Sequence, residues 1–458
     1  MYVKMDKAML RKWIGTKKFY KEVIKVTLPI MIQQVLINIV GLADNLMVGQ
    51  LSEDIISGVY IATKIAFIAH LAIFGACAGS SIFFSQYVGI DDTEHVKQCF
   101  RFKMYVEMVI STIAFLILFL FGKPLALLFV NETQAIEAAN YLKVYSISLL
   151  FMGFGFALAT SFREIHKARI PMISSIIGLV VNISLNYVFI FLLDMGVIGA
   201  AIATLIARIS ELGFSLVYCF ITKPSFFTYP GKIEARLNKE IFVKTIPLLL
   251  NEILWSTGQT MLVFAYTKVS DIASPAMSIS QVLFDFFYLA NIALGNGIAV
   301  IMGNVLGKND TQEAKKEVFY FISLTIVISI IVGLGLYFSA PLVASFYKVS
   351  EQAKLLALKI ATFNAILMII FGLNNAIFFM IRSGGLAAIV IVFDSAFIWV
   401  IQVPAALILS LYTNIELQYV FLIVNGLELI KLIFGIIIIF SNIWIKNLTH
   451  KDELNTAN

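Results

Sequence analysis

The chain has 458 residues, of which 60% are hydrophobic and 14% are charged, and its formal net charge is +6 at pH 7. Soluble globular proteins are nearer half apolar and a quarter charged. This small number of charged residues cannot cover the surface of a soluble protein of this size. The composition therefore excludes a soluble globular fold and predicts a surface that faces lipid. The three cysteines show neither metal-ligand spacing nor a pairing pattern and are interpreted as packing residues.

Twelve apolar segments follow the polar and basic residues 1–25. A helix needs about 20 apolar residues to cross the hydrocarbon core. The first segment is too long for the apolar region of a cleavable signal peptide, so we expect it to act as an uncleaved signal anchor. The predicted spans are 26–49, 58–89, 100–122, 138–162, 170–193, 197–221, 243–267, 274–306, 317–338, 355–381, 386–410 and 415–444.

The placement of basic residues predicts the orientation of these spans. Of the 34 Lys and Arg residues, 25 lie in, or within six residues of, the two terminal segments and the even-numbered loops, and six lie in or equally near the odd-numbered loops. Cytoplasmic loops carry the excess of Lys and Arg in membrane proteins. Both termini are therefore predicted to be cytoplasmic, which requires an even number of spans.

An internal repeat divides the chain into two halves. Pro29 and Pro247 each follow a Thr two positions earlier, and the same offset of 218 residues places Gly79 onto Gly297 and Gly89 onto Gly307. An offset of 219 pairs Arg163 with Arg382. An even number of helices in each half makes the repeats parallel. The predicted organisation is a cytoplasmic N-terminal segment 1–25, a six-helix half 26–222, a cytoplasmic linker 223–242, a six-helix half 243–445 and a cytoplasmic tail 446–458.

Asp44 is the strongest candidate for binding a coupling ion. It lies in the first span, three helical turns after Gln33 on the same face. A carboxylate at bilayer depth is costly to insert and marks a functional site by default. It can take up a proton, or it can ligate Na⁺ together with amide and backbone oxygens. The alternative is a carboxylate near the extracellular end that is hydrogen-bonded for structural reasons.

Asn182 and Asn186 extend this candidate site in the fifth span. They are four residues apart and therefore lie on one helical face. They are predicted either to contribute to ion coupling or to form hydrogen bonds between helices.

The candidate substrate-binding residues combine acids, amides and aromatic rings. Glu252 opens the seventh span and Trp255 follows one turn later, which suits a lipophilic organic cation through charge pairing and cation–π attraction. Asp394 lies in the eleventh span. The complete predicted set is Gln34, Glu252, Trp255, Gln281, Asp285, Tyr288 and Asp394.

Other charges in the spans are interpreted as structural. Glu428 and Lys431, and likewise Arg208 and Glu211, are three residues apart and are expected to pair within their helices. Arg163 and Arg382, at equivalent cytoplasmic ends, are expected to cap helices or to contact lipid head groups.

Three motifs resemble the multidrug and toxic compound extrusion (MATE) family, in particular its prokaryotic DinF-like and NorM-like members. They are LP…GLADNLMVGQL at Pro29–Leu51, SQYVGIDD at Ser85–Asp92, and the segment FREIHKARIP that leads into NISLNYVFI. The resemblance implies a twelve-helix transporter, and the first of the matching motifs includes Asp44. The chain departs from the family at Asn186, where DinF-like members have Asp, and in the tenth span, where NorM-like members have an acid.

Other functions fit the sequence less well. The four His residues form no HExxH motif, and neither a CxxC motif nor a Gly-rich phosphate loop is found, which disfavours a membrane enzyme. A twofold repeat with scattered charges disfavours a channel. A flippase for lipid-linked sugars, from the same superfamily, remains the alternative, but it would favour cationic residues in the cavity, whereas the intramembrane charges here are mainly acidic.

The sequence therefore predicts an all-α polytopic membrane protein with twelve transmembrane helices in two six-helix repeats. Its predicted function is secondary antiport, in which amphipathic organic cations or other drugs are exported in exchange for H⁺ or Na⁺ by alternating access. We expect no cofactor, no metal other than Na⁺ at Asp44, no nucleic acid and no obligate protein partner. The predicted location is the prokaryotic plasma membrane.

Overall fold

A computed structural model describes residues 13–48, 53–129, 131–269, 273–347 and 350–449. Nearly all of these residues are helical, and no strand occurs among them. The helices of the first repeat are α1 Lys17–Val48, α2 Glu53–Gly89, α3 Thr93–Leu127, α4 Glu132–Glu164, α5 Arg169–Asn186 with π-helical Tyr187–Leu192, and α6 Gly196–Thr222. Those of the second repeat are α7 Ala235–Thr267, α8 Ala273–Gly307, α9 Thr311–Ser345, α10 Glu351–Ser383, α11 Ala387–Tyr412, and α12 Leu417–Gly426 with Glu428–Phe440.

Twelve long helices are thus present in the described part of the chain, which confirms the predicted helical fold. Eleven of them are long and apolar enough to cross a membrane. The twelfth, α7, carries Asn251, Glu252 and Gln259 along its length, and these polar side chains lower its mean hydropathy.

Equivalent caps begin equivalent helices in the two repeats. The side chain of Asp92 accepts a hydrogen bond from a backbone N–H in the first turn of α3, and Asp310 does the same for α9. Asn131 and Ser350 cap α4 and α10 in this way. Each such cap stabilises a helix end by about 1 kcal/mol. The sequence repeat is therefore also a repeat of local structure.

The chain divides into two compact units. Unit 1 comprises Met1–Met31 and Leu250–Asn458, and unit 2 comprises Ile32–Leu249. The boundaries fall inside α1 and α7, so each of these helices contributes its beginning to one unit and its remainder to the other. Each unit has its own buried apolar core, formed in unit 1 mainly by α7–α12 and in unit 2 mainly by α2–α4 and α6.

A glycine and a threonine make matching close contacts in the two units. In unit 2 a Cβ atom on Gly79 would lie 2.7 Å from the Cα atom of Thr245. In unit 1 a Cβ atom on Gly297 would lie 2.5 Å from the Oγ1 atom of Thr27. Gly79 therefore allows α2 to approach the beginning of α7 closely, and Gly297 allows α8 to approach the beginning of α1.

The middle of α11 has π-helical geometry over Val392–Ala396 and Ile398–Gln402. An extra residue in a turn shifts the side chains that follow it around the helix axis, and such segments are frequent at functional sites. Asp394 lies within the first of these segments.

Candidate functional site

Gln33 lies at the centre of a buried hydrogen-bond network in unit 2. Its Oε1 atom accepts a hydrogen bond from Nη2 of Arg163 at 2.5 Å, and its Nε2 atom donates to Oγ of Ser175 at 3.0 Å. All three side chains are buried. The sequence analysis expected Arg163 to cap its own helix or to contact lipid head groups, and this expectation is wrong. The side chain of Arg163 instead joins the end of α4 to α1.

The side chain of Asp44 lies outside the described residues, so the predicted contacts of this acid stay predictions. Gln34, predicted to bind substrate, is half-buried on α1, and its backbone carbonyl accepts a hydrogen bond from Nδ2 of Asn38 at 2.9 Å.

Asn182 and Asn186 lie on one face of α5, as predicted, and both are buried. Nδ2 of Asn186 donates to Oδ1 of Asn182 at 3.2 Å, and Nδ2 of Asn182 donates to Oγ1 of Thr204 on α6 at 3.3 Å. These bonds join two helices, as the structural interpretation of the pair expects. Asn182 also lines a narrow cavity in unit 2 together with Ile37, Ser175, Gly178, Thr204, Ala207, Arg208 and Glu211.

Glu252, the predicted substrate-binding acid of α7, faces Arg382 at the end of α10 in unit 1. Oε1 of Glu252 lies 3.7 Å from Nη1 of Arg382, and both side chains are largely buried. The sequence repeat relates this pair to Arg163 and the α1 glutamines of unit 2. In both units an arginine at the end of the fourth repeat helix thus contacts the first repeat helix. Trp255 is half-buried and packs against the apolar core of unit 1.

Asp394 lies in a buried network of charged and amide groups in unit 1. Nζ of Lys431 donates to Oδ1 of Asp394 at 2.7 Å, and Nδ2 of Asn251 donates to its Oδ2 at 3.3 Å. Lys431 also lies 3.7 Å from Glu428, which confirms the pairing predicted within α12. Asn374, on the tenth helix, donates to Oε2 of Glu428 at 2.7 Å. Lys431 therefore lies within ion-pair distance of two carboxylates, those of Asp394 and Glu428.

The predicted set on α8 does not form a single group. Nε2 of Gln281 donates to Asp285 at 2.7 Å, so these two residues share one face of α8, and both side chains are exposed. Tyr288 is half-buried, stacks on Phe284 and donates to the carbonyl oxygen of Phe371 on α10 at 3.3 Å.

The sequence interpretation missed a charged cluster in unit 2 formed by Lys103, Glu107 and Glu164. Lys103 was counted as a loop cation, but α3 begins ten residues before it and its side chain is fully buried. Its Nζ atom lies 2.5 Å from Oε2 of Glu164 on α4. The sequence does contain one signal for this cluster, because Glu107 follows Lys103 by four residues in a long apolar helix. Among the described residues, no group of three His, Cys, Asp or Glu side chains is arranged to hold a metal ion.

Comparison with known proteins places both repeats in one family. A sequence model of the MatE family matches residues 29–188 and 247–408. The chain is 24% identical over 407 residues to a Bacillus subtilis (strain 168) protein named Probable multidrug resistance protein YoeA, covering 85% of this chain and 86% of that protein. It is 25% identical over 415 residues to the Thermotoga maritima protein named Probable multidrug resistance protein NorM, covering 87% of each.

The fold agrees with a solved transporter structure. An outward-facing multidrug resistance MATE family transporter of the MOP superfamily matches with a TM-score of 0.85 and 17% identity, covering 94% of this chain and 98% of that one. At this identity the likeness is one of fold.

Proposed function

Because the chain belongs to the MatE family of membrane transporters, we propose that it is a secondary exporter of drugs, in particular amphipathic organic cations, driven by the entry of H⁺ or Na⁺. The multidrug resistance names of its relatives support the substrate class. The chain has no nucleotide-binding motif, so an ion gradient is the proposed energy source.

One observation carries this proposal: carboxylates are buried among the long apolar helices of both units, and the repeats that contain them both match the family. Buried ionisable groups at bilayer depth are expensive and are retained for transport pathways and ion relays. In unit 1, Glu252 and Asp394 are each held by an internal cation, Arg382 and Lys431 respectively. A carboxylate that accepts a guanidinium or an ammonium group has the charge that an organic cation requires.

The proposed mechanism is competition between ion and substrate. A ligand shifts a conformational equilibrium only through its different affinity for the two states. Export is coupled to ion entry if the ion and the organic cation cannot neutralise the same carboxylates at once. For ion coupling in the first repeat we propose Asp44 with Gln33, Asn182 and Asn186. For substrate we propose Glu252, Trp255 and Asp394 as the main residues, with Gln34, Gln281, Asp285 and Tyr288 in supporting roles.

The proposed location is the prokaryotic plasma membrane, with both termini on the cytoplasmic side. The excess of basic residues in the terminal segments and even-numbered loops supports this orientation. Lys103, Arg163 and Arg382, counted in that excess, are buried in the helical units, so the more exposed basic residues carry the argument.

The test is transport by purified protein in proteoliposomes, with ethidium as the organic cation. A pH gradient and a Na⁺ gradient are imposed separately. We expect one of the two to drive ethidium movement against its own gradient. Ethidium movement that depends on neither gradient would contradict secondary antiport. Movement of a fluorescent lipid-linked sugar in place of ethidium would favour the flippase alternative.

Asp44→Asn tests the proposed coupling residue in the same assay. We expect gradient-driven ethidium movement to be lost while the thermal unfolding temperature in detergent stays that of the unsubstituted protein. Normal gradient-driven movement would remove Asp44 from the coupling mechanism.

A further inference from the structure

Glu107 is a fully buried acid that the proposed transport mechanism does not use. It lies on α3 between α2 and α4, and its relative exposure is 0%. Its Oε1 atom lies 3.0 Å from Sγ of Cys77 on α2, and its Oε2 atom has no hydrogen-bond partner in the part of the chain that the structure describes. Gly153 on α4 leaves room for this oxygen, because a Cβ atom there would lie 3.2 Å from Oε2.

The nearest cation is already committed to another acid. Lys103 lies one turn before Glu107, but its Nζ atom is 2.5 Å from Oε2 of Glu164. The same ammonium group contacts the hydroxyl groups of Ser161 and Thr160 at 3.5 and 3.4 Å and lies 4.4 Å from the ring centre of Phe84. These contacts fix Lys103 on Glu164, and no other described residue forms an ion pair with Glu107.

Few other titratable or charged groups surround Glu107. Among the side chains of α2 that the structure describes, the only such group in contact is the thiol of Cys77. On α4, Glu164 and Arg163 lie close enough to the Cys77 thiol to interact with it electrostatically, and Arg163 binds Gln33. On α3 itself they are Lys103 and, farther along the helix, Cys99. If both acids were ionised, Lys103 would lie near two carboxylates while its ammonium group pairs with only one of them, Glu164.

We propose that the carboxyl group of Glu107 is a proton-binding site of unit 2. A buried ionised carboxylate without a partner is strongly unfavourable, and such groups take up a proton instead. When the neutral acid carries its proton on Oε2, Oε1 accepts the hydrogen bond that the thiol of Cys77 donates at 3.0 Å. The reaction is the uptake of one H⁺ by the carboxylate, with no other bond changed.

Lys103 makes this site responsive to its surroundings. When Glu107 releases its proton, the ammonium group one turn away is the cation that can stabilise the new charge, and it must then leave Glu164 or divide between the two acids. Proton binding at Glu107 and the position of the Lys103 side chain are therefore linked. A role for this proton in driving export rests on the proposed function; the existence of the site does not.

Infrared spectroscopy of the purified protein tests the site without any transport assay. A buried carboxylic acid gives a C=O absorption that a carboxylate lacks. We expect this band at neutral pH in the unsubstituted protein and expect its loss in Glu107→Gln. The control is Glu132→Gln, because Glu132 is an exposed acid paired with Lys123, and its removal should leave the band unchanged. A band that persists in Glu107→Gln would overturn the proposal.

Two further variants test the linkage. In Glu164→Gln, Lys103 becomes available to Glu107, so the band should disappear although Glu107 is present. In Cys77→Ser, the hydroxyl group forms a stronger hydrogen bond than the thiol, so the band should shift in frequency. The second variant also serves if Glu107→Gln does not fold. An unshifted band in Cys77→Ser, or a band unaffected in Glu164→Gln, would contradict the proposed arrangement.

These outcomes separate the site from the proposed function. If the band behaves as expected but a pH gradient does not drive ethidium movement in proteoliposomes, the proton site stands and proton-driven export fails. If a pH gradient drives movement but the band is absent, proton-driven export stands and the coupling proton binds elsewhere.

Discussion

Lys431 on α12 donates a hydrogen bond to Asp394 on α11 at 2.7 Å and lies 3.7 Å from Glu428, so one buried ammonium group compensates two buried carboxylates. Removing one partner of a buried ion pair is strongly destabilising, because the remaining charge has no solvent to stabilise it. An organic cation that binds Asp394 must therefore take over the contacts of Lys431.

We expect Lys431→Met to lower the free energy of unfolding by about 3–5 kcal/mol. Thermal unfolding in detergent measures the loss. The double variant Lys431→Met/Asp394→Asn should recover part of it, because one of the two uncompensated charges is gone. Lys354→Met, in an exposed pair with Glu351, serves as the control and should change little. Equal stability of Lys431→Met and the control would contradict the described network.

The pair of Glu252 and Arg382 predicts substitutions of opposite sign for substrate binding. Glu252→Gln should weaken binding of a fluorescent organic cation by about tenfold to a hundredfold, since a charge-assisted contact contributes roughly 1.5–3 kcal/mol. Arg382→Gln should strengthen binding, because it removes the internal cation that competes for Glu252. Fluorescence titration of the purified variants measures both. Changes of the same sign in the two variants would show that the pair acts in stability alone.

The two glycine–threonine contacts predict different rescues. Gly297→Ala and Gly79→Ala should each destabilise the protein by about 1–3 kcal/mol through overpacking. Thr27→Ala should rescue Gly297→Ala, because only Oγ1 of Thr27 is close to the added methyl group, and its Cβ atom is 3.6 Å away. Thr245→Ala should not rescue Gly79→Ala, because the N and Cα atoms of Thr245 remain 2.7 Å away. Thermal unfolding of the four variants and two double variants decides the matter.

Cysteine labelling tests the predicted topology. The three native cysteines are buried, so they should contribute little background. Ser350→Cys, at the start of α10, should react with an impermeant maleimide added outside intact cells. Thr311→Cys, at the start of α9, should react only after the membrane is opened. Labelling of position 311 from outside would contradict the cytoplasmic placement of the even-numbered loops.

Periodicity and the repeat predicted more of the fold than of the sites. The offset of 218 residues predicted which helices are equivalent, and the matching caps Asp92 and Asp310 are separated by this offset. Helical spacing also foresaw the pairing of Arg208 with Glu211 at 2.7 Å. Such patterns describe neighbours on one helix.

Contacts between helices could not be predicted in this way. Nothing in the spacing of Gln33 and Arg163, which are 130 positions apart, indicates that their side chains meet. The same holds for Asp394, whose direction is set by a π-helical turn that local sequence does not announce. Glu107 and Lys103 both lie in the predicted span 100–122, but Lys103 was counted with the basic residues of the adjoining loop, and sequence spacing does not indicate its contact with Glu164 on α4.

The division of the chain inside α1 and α7 has an evolutionary consequence. The start of each repeat's first helix belongs to the compact unit built mainly from the other repeat. An ancestor with a single repeat would therefore have lacked a partner for its own N-terminal turns. Two copies could have supplied these turns to each other, as in a domain-swapped dimer. Gene fusion would then have made the exchange permanent, so separately expressed halves of the present protein should complement each other only when both are synthesised together.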